Sequence, residues 1–406
     1  MPKLHQPKQP IPAPLRGAEI DTFTHHSVAV RLPDIARRVL AENSFPPDVV
    51  SELELLFADI PHGRIHPLSD ATAPDAADWT GYTAVHINDT WLTVPWFFAE
   101  TYFYRRILAI TGYFDKGEMA GLDPYAYQKR QGLTTNLSAI RRLAARLETW
   151  LALGWQEATF HQLLAIDLWG NQADLSLWPA GQTNQQIHQT QTDTDAFILA
   201  DERTAVLAHL AAPTIPRLDI ILDNAGFEFV ADLCLADYLL AVGKTAVIHL
   251  HAKLHPTFVS DVIPADVGLT LAFLQQDESK PVQNLGRRLA GYLADGRLRI
   301  HQHPFWTSPL PGWKMPAGLR QQLAGSHLLI SKGDANYRRW LGDRHWPFTT
   351  SFADITAYFP APLLALRTSK SEIAAGLTAV QLTRLDQKDP NWLIDGRWGL
   401  IQFSND

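Results

Sequence analysis

One cysteine in 406 residues, Cys234, excludes an intramolecular disulfide framework and a cysteine-cluster metal site, and suits a reducing compartment. Its neighbours, FVADLCLADYLL, place it on the apolar side of a helix, where a thiol is inert packing. No apolar run approaches the roughly 18 residues that span a bilayer. The N-terminus carries Pro and Lys where a signal peptide has its apolar stretch, so a soluble, cytoplasmic protein is expected. Positive charge is not in excess: the formal net charge is -7, which disfavours nucleic acid and anionic lipid as partners. An anionic ligand would have to be caught locally. Nucleotide motifs are also missing. There is no P-loop, and after LDIILD only Gly226 appears, too little for the glycine-rich turn of a dinucleotide or S-adenosylmethionine site. No Gly-x-Ser-x-Gly elbow follows a strand. An aspartyl-nucleophile phosphatase with a second Asp two positions on is disfavoured, because Ala225 stands there.

Apolar residues are plentiful, at 46% with 10% aromatics, enough to fill a large core. Residues 1–20 form a Pro-rich arm, too broken by Pro for a helix or a central strand, and read as extended or disordered. Across 21–212 the apolar positions recur at helical spacing, in IARRVLAEN, VVSELELLFADI, WFFAETYFYRRILAITG, LSAIRRLAARLETWLALGW and FHQLLAIDLWG. This region is expected to be a helical domain. From 213 to 406 the pattern changes to short continuous apolar runs, LDIILD, TAVIHLHA, LRIHQH, HLLISKG and LLALRTSK, with helical stretches between them and WGLIQF as a last strand. That alternation predicts an α/β fold, a mainly parallel sheet in a three-layer αβα core with the helical N-terminal region packed on it.

In such a sheet ligands bind beyond the carboxyl ends of the strands, where the next helix offers free N–H groups. Asp223 and Asn224 fall there, at the end of LDIILD, followed by Gly226 and Glu228. Either they cap the helix, which both residue types favour, or they hold a hard divalent cation such as Mg2+ or Mn2+. A second carboxylate is available in TFVSDV: Asp261 follows by about the length of one βαβ unit. Two further strand ends carry cations. KGDANYRRW has Asp334, Arg338 and Arg339, and RTSK has Arg367 and Lys370. Fixed cations and helix N-termini at one sheet edge make a pocket for small phosphate esters, although surface salt bridges would explain each cation singly. His249 and His251 in HLHAKLHP share a strand face and HQH follows at 301–303, which raises a His metal site; no known ligand spacing is matched, and hydrogen-bonded packing is the preferred reading.

Taken together and in order, DNAGFE (223–228), FVSD (258–261), HQHPFW (301–306), KGDANYR (332–338) and RTSK (367–370) resemble the damage-control phosphatases formerly grouped as DUF89. The RTxK motif points to the subfamily that contains the acidic residue methyltransferase 1 proteins. WFFAETYFYRR (96–106) and LWGNQADLSL (168–177) resemble the same subfamily, so the match runs from about residue 20 onward. The resemblance implies a metal-dependent phosphatase of phosphorylated metabolites, with sugar phosphates such as fructose 1-phosphate as substrates. It further implies Asp223, Asn224 and Asp261 as holders of Mn2+, Co2+ or Ni2+, and Glu228, Asp334, Asn336, Tyr337, Arg338 and Lys370 as substrate contacts. His251 departs from the family pattern and bears on metal preference. In the helical half, Glu100, Tyr104 and Arg105 cluster at helical spacing, as do Asn171 and Asp174; interhelical bonding explains them as well as a site does. Two rival functions stand beside the phosphatase: an S-adenosylmethionine-dependent carboxyl methyltransferase and a metal and sugar-phosphate binding protein without turnover.

Overall fold

The computed structural model describes residues 5–170 and 195–405; Asn171, Asp174 and the rest of the stretch from 171 to 177 lie outside the described residues. The N-terminal region contributes α1 (Phe23–His26), α2 (Leu32–Glu42), α3 (Pro47–Asp59), α4 (Ala76–Ala84), α5 (Trp96–Ile110), α6 (Ala126–Thr134), α7 (Leu137–Ala152) and α8 (Glu157–Trp169). One turn of π-helix, Ser27–Arg31, joins α1 to α2. The sheet strands are β1 (Ile198–Asp201), β2 (Ile215–Ile221), β3 (Thr245–Ala252), β4 (Leu298–Gln302), β5 (Leu328–Lys332), β6 (Leu363–Thr368) and β7 (Gly399–Ser404). Between them run α9 (Arg203–His209), α10 (Phe227–Ala241), α11 (Pro264–Gln276), α12 (Lys280–Asp295), α13 (Ala317–Leu323), α14 (Asp334–Leu341), α15 (Phe352–Thr356) and α16 (Ala379–Lys388).

Strand order is β1-β7-β6-β5-β2-β3-β4. Every neighbouring pair is parallel except β6 with β7. Alternation along the strands sends Leu218, Ile220, Ile330 and Leu364 to one face and Ile221, Leu329, Leu363 and Ala365 to the other. Helices α7, α8, α10, α11 and α12 cover the first face, while the other is covered by α13, α14 and α15 with Trp306, Trp313 and Trp346. The three-layer expectation therefore holds. Helix α7 illustrates why these segments are helical: Ala139, Ile140, Leu143, Ala144, Leu147 and Trp150 form one buried stripe at the 3.6-residue period.

The sheet departs from the sequence reading at its edge. β1 lies inside the span 21–212 that was expected to be helical; at four residues, ILAD, it is too short and too polar to give a strand signal, and it exists because β7 offers it a parallel partner. The arm is extended and packed, with Leu15 buried, and bridges pair Pro14 with Arg344 and Arg16 with Pro95.

Candidate active site

β2 ends at Ile221, so Asp223 and Asn224 leave the sheet at its carboxyl edge before α10 begins. Gly226 makes that turn with a φ of 82°, and a Cβ there would lie 3.1 Å from the backbone of Gly132. The conformation and the close approach both require glycine. Two backbone bonds then tie this segment to the loop after β3: Val262 N–H donates to Asp223 O (2.8 Å) and Ala225 N–H to Ser260 O (2.7 Å). Asn224 and Asp261 are thereby held opposite each other in a short antiparallel bridge. That loop is strained. Phe258 and Val259 have φ of 47° and 69°, and a β-branched residue in this region persists only where its surroundings over-determine it.

The polar groups around Asp223 are interlinked. Asn224 Nδ2 donates to Asp223 Oδ2 (2.7 Å) and Glu228 Oε2 (2.9 Å), and Ser260 Oγ donates to Asn224 Oδ1 (2.5 Å). Lys253 Nζ stands 3.2 Å from Asp261 Oδ2 and donates to Asn336 Oδ1 at 3.0 Å. Burial, then the Asp261 and Glu228 carboxylates, push Asp223 well above the ordinary carboxylate range. Burial likewise raises Asp261, to about 6, against the opposing pull of Lys253. Two buried acids that resist joint ionisation are a negative-charge surplus that a cation relieves.

The β5–α14 turn closes the other wall. Gly333 (φ 82°) passes so close that a Cβ would sit 1.8 Å from Asp223 Oδ2. Asp334 Oδ1 accepts from Arg367 Nε (2.7 Å) and Ser371 Oγ (2.9 Å). Burial works to raise Asp334, but Arg367 and Arg338 outweigh it and hold the acid below its usual value. Arg338 grips Asp343 with Nε (2.8 Å) and Nη2 (3.0 Å), reaches Glu100 Oε2 with Nη1 (2.5 Å), and stacks 3.5 Å over Trp96. Lys370 is half-buried, and its ammonium has no ion-pair partner among the described residues. The result is an inner cleft of about 170 Å³ between the strand ends, with Asp223, Asn224, Glu228, Asp261, Asp334 and Lys370 on its walls.

Of the expected site residues, then, Asp223, Asn224, Glu228, Asp261, Asp334, Arg338 and Lys370 converge on this cleft. Three expected substrate contacts are placed behind it. Asn336 is fully buried and donates to Leu222 O (3.0 Å) and Lys332 O (2.9 Å). Tyr337 donates to Gln402 Oε1 (2.8 Å) and stacks on Phe352, and Arg367 is wholly buried over the Tyr337 ring at 4.4 Å. Their side chains are committed to the scaffold. In the helical half, Glu100 lines the cleft; Tyr104 is buried, and Arg105 is paired with Asp70 (2.7 Å) and Asp75 (2.8 Å).

Residue reasoning missed Lys253 and Lys332, both inside stretches it quoted, because a Lys at a strand end reads as solvated unless its partners are known. It also missed Arg31, which stands at the mouth. His251 Nε2 is 2.7 Å from Asp219 Oδ1, and the His249 and His251 rings lie 4.6 Å and 5.4 Å from His301. Among the described residues no group of three or more His, Cys, Asp or Glu is arranged to hold a metal ion. The donors at the cleft are instead two carboxylates and one amide oxygen, all hard. Asp261 Oδ2 is fully buried and faces the Lys253 ammonium at 3.2 Å, and this oxygen-only donor set of Asp223, Asn224 and Asp261 fits a hard divalent cation.

The family model for the damage-control phosphatase ARMT1-like domain matches residues 27–385. Zebrafish (Danio rerio) damage-control phosphatase ARMT1 is 35% identical over 78% of this chain and 75% of its own length. The mouse (Mus musculus) protein of that name is 34% identical over 77% and 75%, and the human one 28% identical over 97% and 98%. A solved DUF89 family protein from Pyrococcus horikoshii aligns over 93% of this chain at 11% identity with a TM-score of 0.49, so membership rests on sequence. With the model spanning both the helical region and the sheet that carries the cleft, the chain belongs to the damage-control phosphatase ARMT1-like family.

Proposed function

We propose that this chain is a metal-dependent phosphoric monoester hydrolase of phosphorylated metabolites, with sugar phosphates such as fructose 1-phosphate as its substrate class. The observation that carries this reading is the convergence of Asp223 and Asp261, two buried acids on the walls of one cleft, with Asn224 bridged to Asp261 and with Lys370, which has no ion-pair partner among the described residues, beside them. Asp223, Asn224 and Asp261 would hold Mn2+, Co2+, Ni2+ or Mg2+, and the cation supplies Lewis-acid polarisation of a phosphoryl oxygen. Lys370 compensates charge on the transferring group from a fixed, partly desolvated position. Glu228 takes a proton from the attacking water, whose oxygen bonds to phosphorus as the bond to the sugar oxygen breaks, and the departing sugar oxygen takes up a proton from solvent. Asp334 orients a sugar hydroxyl: Arg367 and Ser371 converge on Oδ1, leaving Oδ2 to accept. Arg338, already held by Asp343 and Glu100, keeps the wall rigid.

The test is phosphate release from a panel of sugar phosphates and an aryl phosphate, with chelator-stripped protein and each metal added back. Release should require metal and should fall by at least about 10²-fold in Asp261→Ala, with circular dichroism checking that the variant is folded. Absence of release with every metal would sink the phosphatase reading and leave a sugar-phosphate binding protein or a methyltransferase, which S-adenosylmethionine binding would separate.

A further inference from the structure

Beyond the inner cleft lies an outer chamber of about 670 Å³. The two adjoin, with Arg31, Asn224, Glu228, Phe258 and Ser260 in the walls of both. The outer chamber's helical wall is a stripe of α2 and the turn before it, Arg31, Asp34, Ile35 and Arg38, at positions i, i+3, i+4 and i+7. The π-turn Ser27–Arg31 sets this phase, a distortion that recurs at functional sites.

The charges on these walls are not equivalent. Asp34 accepts from Arg37 at 2.5 Å, and Lys129 is neutralised by Asp123 (2.8 Å) and Asp266 (2.7 Å). Glu228 is engaged by Asn224. Arg31 and Arg38 alone of the charged residues lining the chamber have neither an ion pair nor a hydrogen bond among the described residues. Two turns of helix separate them by about 10 Å. In an acidic chain, two exposed guanidiniums that line one cavity without an ion pair among the described residues form a site for an anion, which each can grip with two parallel N–H groups.

We infer that the outer chamber is a second-anion subsite, and that the preferred substrates are phosphate monoesters carrying another phosphate or a carboxylate at the far end of a sugar-length body. This rests on the reading of the inner cleft as a phosphate-ester site. Arg31, at the junction, spans the two groups, and Arg38 anchors the distal one.

Binding is measured by calorimetry on the full chain with Mn2+, using non-hydrolysable probes: methylphosphonate, hexane-1,6-bisphosphonate and 6-phosphonohexanoate. At least one doubly anionic probe should bind about tenfold or more tighter than methylphosphonate, as a charge-assisted pair gives. That advantage should collapse in Arg38→Gln and Arg31→Gln and shrink at high salt. The tighter of the two long probes identifies the terminal group as phosphate or carboxylate. Equal affinity for all three, or an advantage that survives both substitutions, overturns the subsite. Aryl phosphate release from the same preparations reports on hydrolysis separately, so failure of the subsite and failure of the phosphatase reading are distinguishable.

Discussion

Lys332 Nζ lies 3.1 Å from Asp167 Oδ1, 3.1 Å from Asp232 Oδ1 and 3.5 Å from Glu228 Oε1, with none of the four residues more than marginally exposed. Burial would strip its proton, but the three acids hold the ammonium well above its ordinary value. Burial raises both aspartates, and Asp167 pushes Asp232 further up. Lys332→Met removes the cation and leaves three acids together, so urea unfolding should show a loss of about 3–5 kcal/mol. Asp232→Asn preserves the shape, removes one acid and leaves Lys332 paired with Asp167, so it should cost under about 1 kcal/mol; equal losses in the two variants would show that the cluster does not depend on its cation. His249 makes a pH prediction. Burial and Arg217 lower it from 6.5 to about 4, so the unfolded chain takes up a proton that the folded chain refuses. Its contribution is whole above pH 6.5 and is lost as pH falls toward 4. Stability measured at pH 7 and pH 5 should therefore drop in the wild type, and drop less in His249→Asn.

At the scale of elements, the strand-to-helix turns carry the site, and the β5–α14 turn is the tightest. Gly333→Ala combines an unfavourable φ of 82° with a Cβ 1.8 Å from Asp223 Oδ2. It should cost at least about 1–3 kcal/mol and most of the turnover, whereas Gly318→Ala in α13, with open space around its Cβ, should be neutral or mildly stabilising. Normal activity in Gly333→Ala would show that the turn relaxes without moving Asp223. These turns were legible in the sequence because a continuous apolar run ending in Asp-Asn or Gly-Asp marks both a buried strand and its functional end. What lay hidden depended on distance. Asn336 and Arg367 read as substrate contacts because motifs carry no record of which members face inward, and only packing separates Asn336, bonded to Leu222 O, from Asp334 two positions earlier. β1 was invisible for the opposite reason, its four residues having no pattern until β7 supplies an edge.

At the scale of the whole molecule, the cleft has one wall from the sheet and one from the helical region, and the Glu100–Arg338 pair crosses between them. The Pro-rich arm runs along this seam. His345 N–H donates to Ala13 O (3.0 Å), Leu15 N–H donates to Asp343 O (3.0 Å), and Trp96 N–H donates to Leu15 O (2.9 Å). Asp343 is the residue that holds Arg338, and Trp96 opens the helix that carries Glu100. Leu15 packs in the same core as Val28 and Trp96. Deleting residues 1–16 removes these ties, and loss of Leu15 burial alone is worth about 1.5–3 kcal/mol. Unfolding by urea should show at least that loss. KM for a sugar phosphate should rise more than kcat falls, because the seam positions the cleft walls without touching Asp223, Asn224 or Asp261. A truncated protein with unchanged stability and unchanged KM would show that the two walls hold their spacing without the arm.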